Sequence, residues 1–194
     1  KLVENSFRDL NIAFANELSM ICDQANIDTW ELIQLANKHP RVQILNPGVG
    51  VGGHCIAVDP WFIIDKYPDR SKMIRSSRKV NCDKTDWVIN KIIETAKEDD
   101  VVACMGLSYK QDIDDLRESP ALKIFEELSA RLGENKVISC DPHLDMSNFN
   151  NSDYEDVIKK ASIVAYLVPH TKFKNRVIKD KLVLDFCGVL NDME

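Results

Sequence analysis

The acidic break at Glu98-Asp99-Asp100 constrains what this chain can fold into more than any other feature. Before it, apolar residues recur mainly at helical spacing; after it, short apolar runs alternate with amphipathic stretches. The opening residues lead into Leu10, Ile12, Ala13, Phe14, Leu18, Met20 and Ile21, which predicts a long, largely buried helix. Asp28 is a candidate N-cap for a helix over 29–38 that stops at His39-Pro40. Pro60 opens a short helix. Residues 71–97 read as one long helix with Met73, Val80, Trp87, Ile89, Ile92 and Ile93 as candidate buried positions.

Beyond the break, the run from Val101 to Leu107 has no polar alternation, as expected of a strand covered on both faces. Further strands are predicted over 137–140, 163–168 and 182–186. Helices are predicted over 120–132, capped by Ser119 ahead of Pro120, and over 154–160 and 173–179. Strands alternating with helices make a doubly wound parallel sheet, and ligands of such sheets bind outside the C-terminal strand ends. Here those ends carry Gly106-Leu107-Ser108-Tyr109-Lys110, Asp141-Pro142-His143, Val168-Pro169-His170 and Asp185-Phe186-Cys187-Gly188. The fold class is α/β: a helical domain over 1–98, then a Rossmann-like domain over 99–194.

At 194 residues and 44% hydrophobic content the chain can bury real cores. A net charge of −6 with no concentrated basic face argues against nucleic acid as a partner. No apolar run approaches the roughly 18 residues of a membrane span. Six cysteines without a Cys-x-x-Cys fit reduced thiols in the cytoplasm and no bound metal.

The chemistry concentrates in Gly48-Val49-Gly50-Val51-Gly52-Gly53-His54-Cys55, followed by Asp59-Pro60. Four glycines in six positions let the backbone approach a ligand closely, and the thiol that follows is a candidate nucleophile. A surface turn carrying a small buried cysteine is the plainer alternative. Lys1, Asn5 and Arg8 stand at i, i+4 and i+7 and share a helical face. They can grip an anionic or hydroxyl-rich ligand, or form a solvated polar stripe.

The pattern Gly50-x-Gly52-Gly53-x-Cys55 with Asp59 resembles the cysteine loop of the UDP-glucose/GDP-mannose dehydrogenase family. The form Gly-Gly-His-Cys-Ile-x-Val-Asp-Pro is similar to the branch that oxidises UDP-N-acetylmannosamine, with Ala57 where a proline usually stands. Lys-Leu-x-x-Asn-x-x-Arg-Asp at 1–9, His39-Pro40-Arg41 and Gly-Leu-Ser-Tyr-Lys with Asp114-Asp115-Leu116-Arg117-Glu118-Ser119-Pro120 are similar to three further stretches of that family. Cys187 departs from an arginine common there.

The resemblance implies Cys55, Lys1, Asn5 and Asp59 as catalytic. It implies Arg8, Gly52, Tyr109 and Lys110 as substrate contacts, with His39 and Arg41 reaching substrate from a partner subunit. Arg117 is assigned to a neighbouring subunit's cofactor site. It further implies NAD as cofactor, a homodimer built on the helical domain, and four-electron oxidation of a UDP-sugar C6 alcohol to the uronate through a Cys55 thioester. Oxidation of UDP-glucose or UDP-N-acetylglucosamine, a non-catalytic binding and dimerisation module, and a cysteine hydrolase using His54 or His39 are the alternatives. The chain begins at Lys1 and shows no Gly-x-Gly-x-x-Gly between a strand and a helix, so an N-terminal NAD-binding domain is expected to be absent.

Overall fold

The computed structural model describes residues 1–145, 147 and 149–190. Four helices come first: α1 (Leu2–Ala25), α2 (Thr29–Ala36), α3 (Asp59–Lys66) and α4 (Lys72–Thr95). There follow β1 (Val102–Met105), α5 (Pro120–Leu132), β2 (Val137–Cys140), α6 (Tyr154–Lys160), β3 (Ile163–Tyr166) and β4 (Leu182–Asp185). The strands form one parallel sheet in the order β2-β1-β3-β4. Both expected caps are present. The Asp28 carboxylate accepts from the Trp30 and Glu31 amides, and the Ser119 hydroxyl accepts from Leu122 N–H.

The sheet is covered on both faces because β1 alternates its side chains. Val102 and Cys104 face α5, through Ala121, Ile124 and Leu128, and join Val88, Ile89 and Ile92 of α4. Ala103 and Met105 lie in the other cluster with Val157 of α6, Tyr166 and Phe173. The end of α4 therefore belongs to the sheet's core, which ties the two halves of the chain together. Trp87 on α4 adds an edge-on contact to Phe186 just past β4, ring centroids 6.0 Å apart.

Two expectations fail in the helical half, and one in the sheet half. The first helix is not largely buried: it buries Ser6, Asp9, Ala13, Ala15, Asn16 and Cys22 and leaves Val3, Phe7, Phe14 and Ile21 exposed. In α4, Met73 is 70% exposed, while Ser77, Arg78, Asn81, Lys84 and Thr85 are buried. Its middle turns a polar stripe inward. The helix expected over 173–179 is a short 3-10 turn, Thr171–Phe173, followed by irregular chain. Phe173 anchors in the core, but Asn175 at φ 59° is left-handed, which a right-handed helix does not tolerate, and Val177 is exposed.

Candidate active site

Lys1 and Asn5, at the start of α1, converge on Asp59, the first residue of α3. The Lys1 amine lies 3.1 Å from Asp59 Oδ2, and Asn5 Nδ2 donates to the same oxygen at 2.6 Å. Asp59 is buried, and the Asn5 hydrogen bond, with Lys1 behind it, holds its carboxyl below the usual range. The Lys1 amine is raised by its hydrogen bond and charge pairing with Asp59, and also by the nearby Cys55 thiol.

Cys55 is half-buried and free, one turn ahead of α3, where its carbonyl accepts from the Asp59 and Val58 amides. Pro60 near the start of α3 fixes that entry angle. A thiol, an amine, an amide and a carboxylate thus meet across α1, the Gly-rich loop and α3. Neither His54 nor His39 is hydrogen-bonded to Cys55 among the described residues. The His39 ring accepts from Arg41 N–H instead.

The Gly-rich loop is pressed onto the sheet half. Gly53 sits at φ +82° with its N–H donating to the Arg117 carbonyl, and a Cβ there would strike the Tyr109 ring at 2.8 Å. At Gly52 a Cβ would come within 2.5 Å of the Glu118 carbonyl and 2.7 Å of Tyr109 Cβ. Side chains at these positions would lift the cysteine loop off the sheet.

Between loop and sheet lies a cleft of about 220 Å³, walled by 46–50 on one side and by Ser108–Gln111, Leu167–Pro169 and Cys187 on the other. Its floor is where β1 and β3 run side by side while their crossovers leave in opposite directions, the switch point at which doubly wound sheets hold ligands. Tyr109 and Lys110 line it, and Lys110 is exposed.

The loop after β1 is braced by residues whose roles sequence reasoning missed. Asp141 Oδ2 accepts from the Leu107 and Ser108 amides at 2.8 and 3.1 Å and lies 3.2 Å from His170 Nε2. His170 Nδ1 accepts from Asp112 N–H, which leaves the ring proton on Nε2 to face Asp141. Burial pushes the Asp141 carboxyl up, yet the His170 ring and the amides outweigh it and hold the carboxyl below its usual range. Donor atoms of Asp112, His143 and His170 lie within 4.8 Å of one another, but the His170 Nδ1 lone pair is already committed to Asp112 N–H. The signal in the sequence was positional only: Asp141 and His170 stand at strand ends.

Of the other expected site residues, Arg8, His39 and Arg41 are exposed. The Arg117 side chain is taken by Asp115, with Nε at 3.0 Å from both carboxylate oxygens and Nη2 at 2.6 Å from one, an embrace that lowers Asp115 to about 2. Among the described residues no dinucleotide cradle forms: no helix begins directly after β1, and Arg117, the cation assigned to NAD, is paired within its own loop.

The chain is similar to known proteins along nearly its whole length. Residues 1–83 match the central domain of the UDP-glucose/GDP-mannose dehydrogenase family, and residues 103–192 match that family's UDP binding domain. The chain is 49% identical over 197 residues to a UDP-N-acetyl-D-mannosamine dehydrogenase of Campylobacter jejuni, covering 96% of this chain and 48% of that one. It is 46% identical over 200 residues to an NDP-N-acetyl-D-galactosaminuronic acid dehydrogenase of Ralstonia solanacearum, covering 97% and 47%. A solved UDP-D-ManNAc dehydrogenase of Pyrococcus horikoshii superposes with a TM-score of 0.88 at 32% identity, covering 98% of this chain and 47% of that one. The chain spans about half the length of these relatives. With both domains matched in order, this chain belongs to the UDP-glucose/GDP-mannose dehydrogenase family.

Proposed function

We propose that this chain supplies the thiol, the proton-handling groups and the nucleotide cleft of an NAD-dependent UDP-N-acetylhexosamine 6-dehydrogenase. The supporting observation is the meeting of Lys1, Asn5 and Asp59 beside Cys55, at one end of a loop whose other end walls the switch-point cleft. NAD would supply the hydride acceptor, with one hydride of the four-electron oxidation going to each of two molecules; of the residues here only Arg117 is assigned to that site, the mate's.

Within that reading, the Cys55 thiolate adds to the C6 aldehyde and forms a C–S bond, giving a thiohemiacetal and later a thioester. Water cleaves the thioester, releasing the uronate and restoring the thiol. The Lys1 ammonium and the Asn5 amide donate to the alkoxide and to the tetrahedral oxyanion, a role worth about 3–4 kcal/mol per donor in well-formed sites. Asp59, kept ionised by those two donors, accepts protons from water or substrate. Lys110 and the backbone at Tyr109 hold the diphosphate, with Gly52 and Arg8 nearer the sugar. His39, Arg41 and Arg117 act across a two-fold mate, where the exposed stripe Val3, Phe7, Phe14 and Ile21 on α1 packs. Residues 1–98 are the dimerisation domain and 99–194 the nucleotide domain; free cysteines throughout suit the cytoplasm.

Calorimetry of this chain with UDP is expected to show binding, and NAD with UDP-sugar is expected to give no turnover without the remaining half. In the full-length protein, Cys55→Ser is expected to slow uronate formation at least about 10³-fold. NADH release across a panel of UDP-sugars is expected to be fastest with UDP-N-acetylmannosamine, and light scattering to report a dimer. Wild-type uronate production by Cys55→Ser would overturn the assignment.

A further inference from the structure

The Gly-rich loop has little of its own to fix its direction. Gly48, Gly50, Gly52 and Gly53 bring no side chains, and Val49, buried in the core, adds a non-directional apolar contact, so the orientation of the backbone must be set by its neighbours. Beneath it, among the polar side chains that α1 and α4 bury at the depth where leucines would normally pack, are Asp9 at 0% exposure, Asn16 at 0%, Asn81 at 1%, Thr85 at 4% and Arg78 at 5%. Buried polar groups are tolerated when hydrogen-bonded, and Arg78, Asp9, Asn81 and Asn16 form one chain of contacts, with Thr85 beside it. Arg78 Nη1 donates to Asp9 Oδ1 at 2.6 Å. Asn81 Nδ2 donates to the same oxygen at 2.8 Å and to the Asp9 carbonyl at 3.1 Å. Asn16 Nδ2 then donates to Asn81 Oδ1 at 2.9 Å, which fixes both amide orientations.

This chain of contacts ends on the loop backbone. Asn16 Oδ1 accepts from Gly48 N–H at 2.8 Å, and Thr85 Oγ1 donates to the Val49 carbonyl at 2.8 Å. At the next residue a Cβ on Gly50 would lie 2.5 Å from Thr85 Oγ1, so the backbone is drawn hard against α4. Asp9 Oδ2 and Arg78 Nε are buried without partners, so the network is not arranged for the greatest stability of the helix pair itself.

We propose that Asn16, Asn81 and Thr85 are positioning residues: they pin Gly48 and Val49 so that the cleft wall and the Cys55 thiol, at opposite ends of one glycine-rich loop, keep a fixed separation. None of them touches the thiol. They act through the loop backbone; Asp9 with Arg78 holds Asn81, and through it Asn16, in register. The proposal rests on the functional reading above for what the separation serves, but the pinning itself is tested without any ligand.

The test compares this chain with its Thr85→Val, Thr85→Ser and Asn16→Ala variants. Valine keeps the shape of threonine and loses the hydroxyl; serine keeps the hydroxyl. Iodoacetamide alkylation at pH 8 is followed cysteine by cysteine by mass spectrometry, with exposed Cys82 as the internal standard once its own rate, at a thiol 3.9 Å from Arg78 Nη2, is shown equal in all four proteins against added glutathione. Thr85→Val and Asn16→Ala are expected to change the Cys55 rate at least about 5-fold relative to Cys82, and Thr85→Ser to return it to the wild-type value. UDP affinity, measured by calorimetry, is expected to fall in parallel and to be rescued by the same serine. A merely structural role would move the urea midpoint and leave the Cys55-to-Cys82 ratio alone at denaturant-free pH 8. An unchanged ratio in folded Thr85→Val, or a failure of serine to rescue it, overturns the proposal. If wild-type chain binds no UDP, the functional reading falls while the alkylation ratio still decides the pinning.

Discussion

Between the sheet and α5, the buried side chains are Cys104, Ala121, Ile124, Leu128, Val137, Ile163 and Leu167, closed at one end by Val88, Ile89 and Ile92 of α4. One to three turns earlier on that same helix, against α1, the buried side chains include Arg78, Asn81, Lys84 and Thr85. A single helix thus serves two interiors of opposite character. The apolar one is held by burial of hydrocarbon, which is non-directional and tolerant of small shifts. The polar one is held by hydrogen bonds of 2.6–3.1 Å, which fix direction and, through Asn16 and Thr85, carry it to the loop. The seam between α1 and α4 is therefore suited to holding something in place, and the sheet core to holding the molecule together.

Breaking the polar interior at its charge has the largest expected effect. Arg78→Met strands the Asp9 carboxylate, which is fully buried, and is expected to cost about 3–5 kcal/mol at pH 8 by urea unfolding. Burial already pushes Asp9 up, and without the guanidinium it rises further above its unfolded value. The folded state then binds the extra proton, so the variant is expected to regain stability as pH falls toward 5. A variant equally destabilised at both pH values would mean that Asp9 does not carry the charge.

The apolar interior is expected to respond differently. Ile89→Ala, at a side chain 1% exposed, is expected to cost about 3 kcal/mol with no pH dependence and no change in the Cys55-to-Cys82 alkylation ratio. A changed ratio at matched stability would erase the distinction between the two interiors.

Lys84 sharpens the comparison with a smaller effect. The residue is 2% exposed, its amine donates to Ser19 Oγ at 2.8 Å and lies 3.9 Å from the Trp87 ring centre, and burial brings it down to about 7. Between pH 7 and 10 the unfolded chain keeps the Lys84 proton while the folded one has lost it. Stability therefore rises with pH through that window, by up to about 1.4 kcal/mol per unit, and the contribution is absent below pH 7. Lys84→Met is expected to flatten this rise; taking the difference between the two proteins cancels the thiols that titrate nearby. Parallel urea midpoints for both proteins at pH 7 and 9 would show that Lys84 stays charged.

The sheet half was legible because its signals are local. An unalternating apolar run gives a strand covered on both faces, and Ser119 before Pro120 gives a helix start; both appear where they were expected. The exception, 173–179, fails at Asn175, whose left-handed backbone no periodicity announces. In the helical half the caps and lengths were legible, but the inward face was not. The buried stripe of α4 has helical spacing at 77, 78, 81, 84, 85, 88, 89 and 92, yet most of it is polar, so a hydropathy reading assigns Met73 to the core and Asn81 to water.

Taken alone, the sequence determined the elements, the order of the two halves and the family, since capping, periodicity and motif spacing are written within a few residues of one another. It also set out the reacting groups as separate patterns: Lys1 and Asn5 on one helix, Cys55 and Asp59 on one turn. Only the tertiary structure brought Lys1 to Asp59 across 58 positions and pressed Gly53 against Tyr109. It also turned Asn16, Asn81 and Thr85 inward beneath the loop. Those decisions depend on which faces of distant elements exclude water together, and a side chain's neighbours in sequence do not specify that.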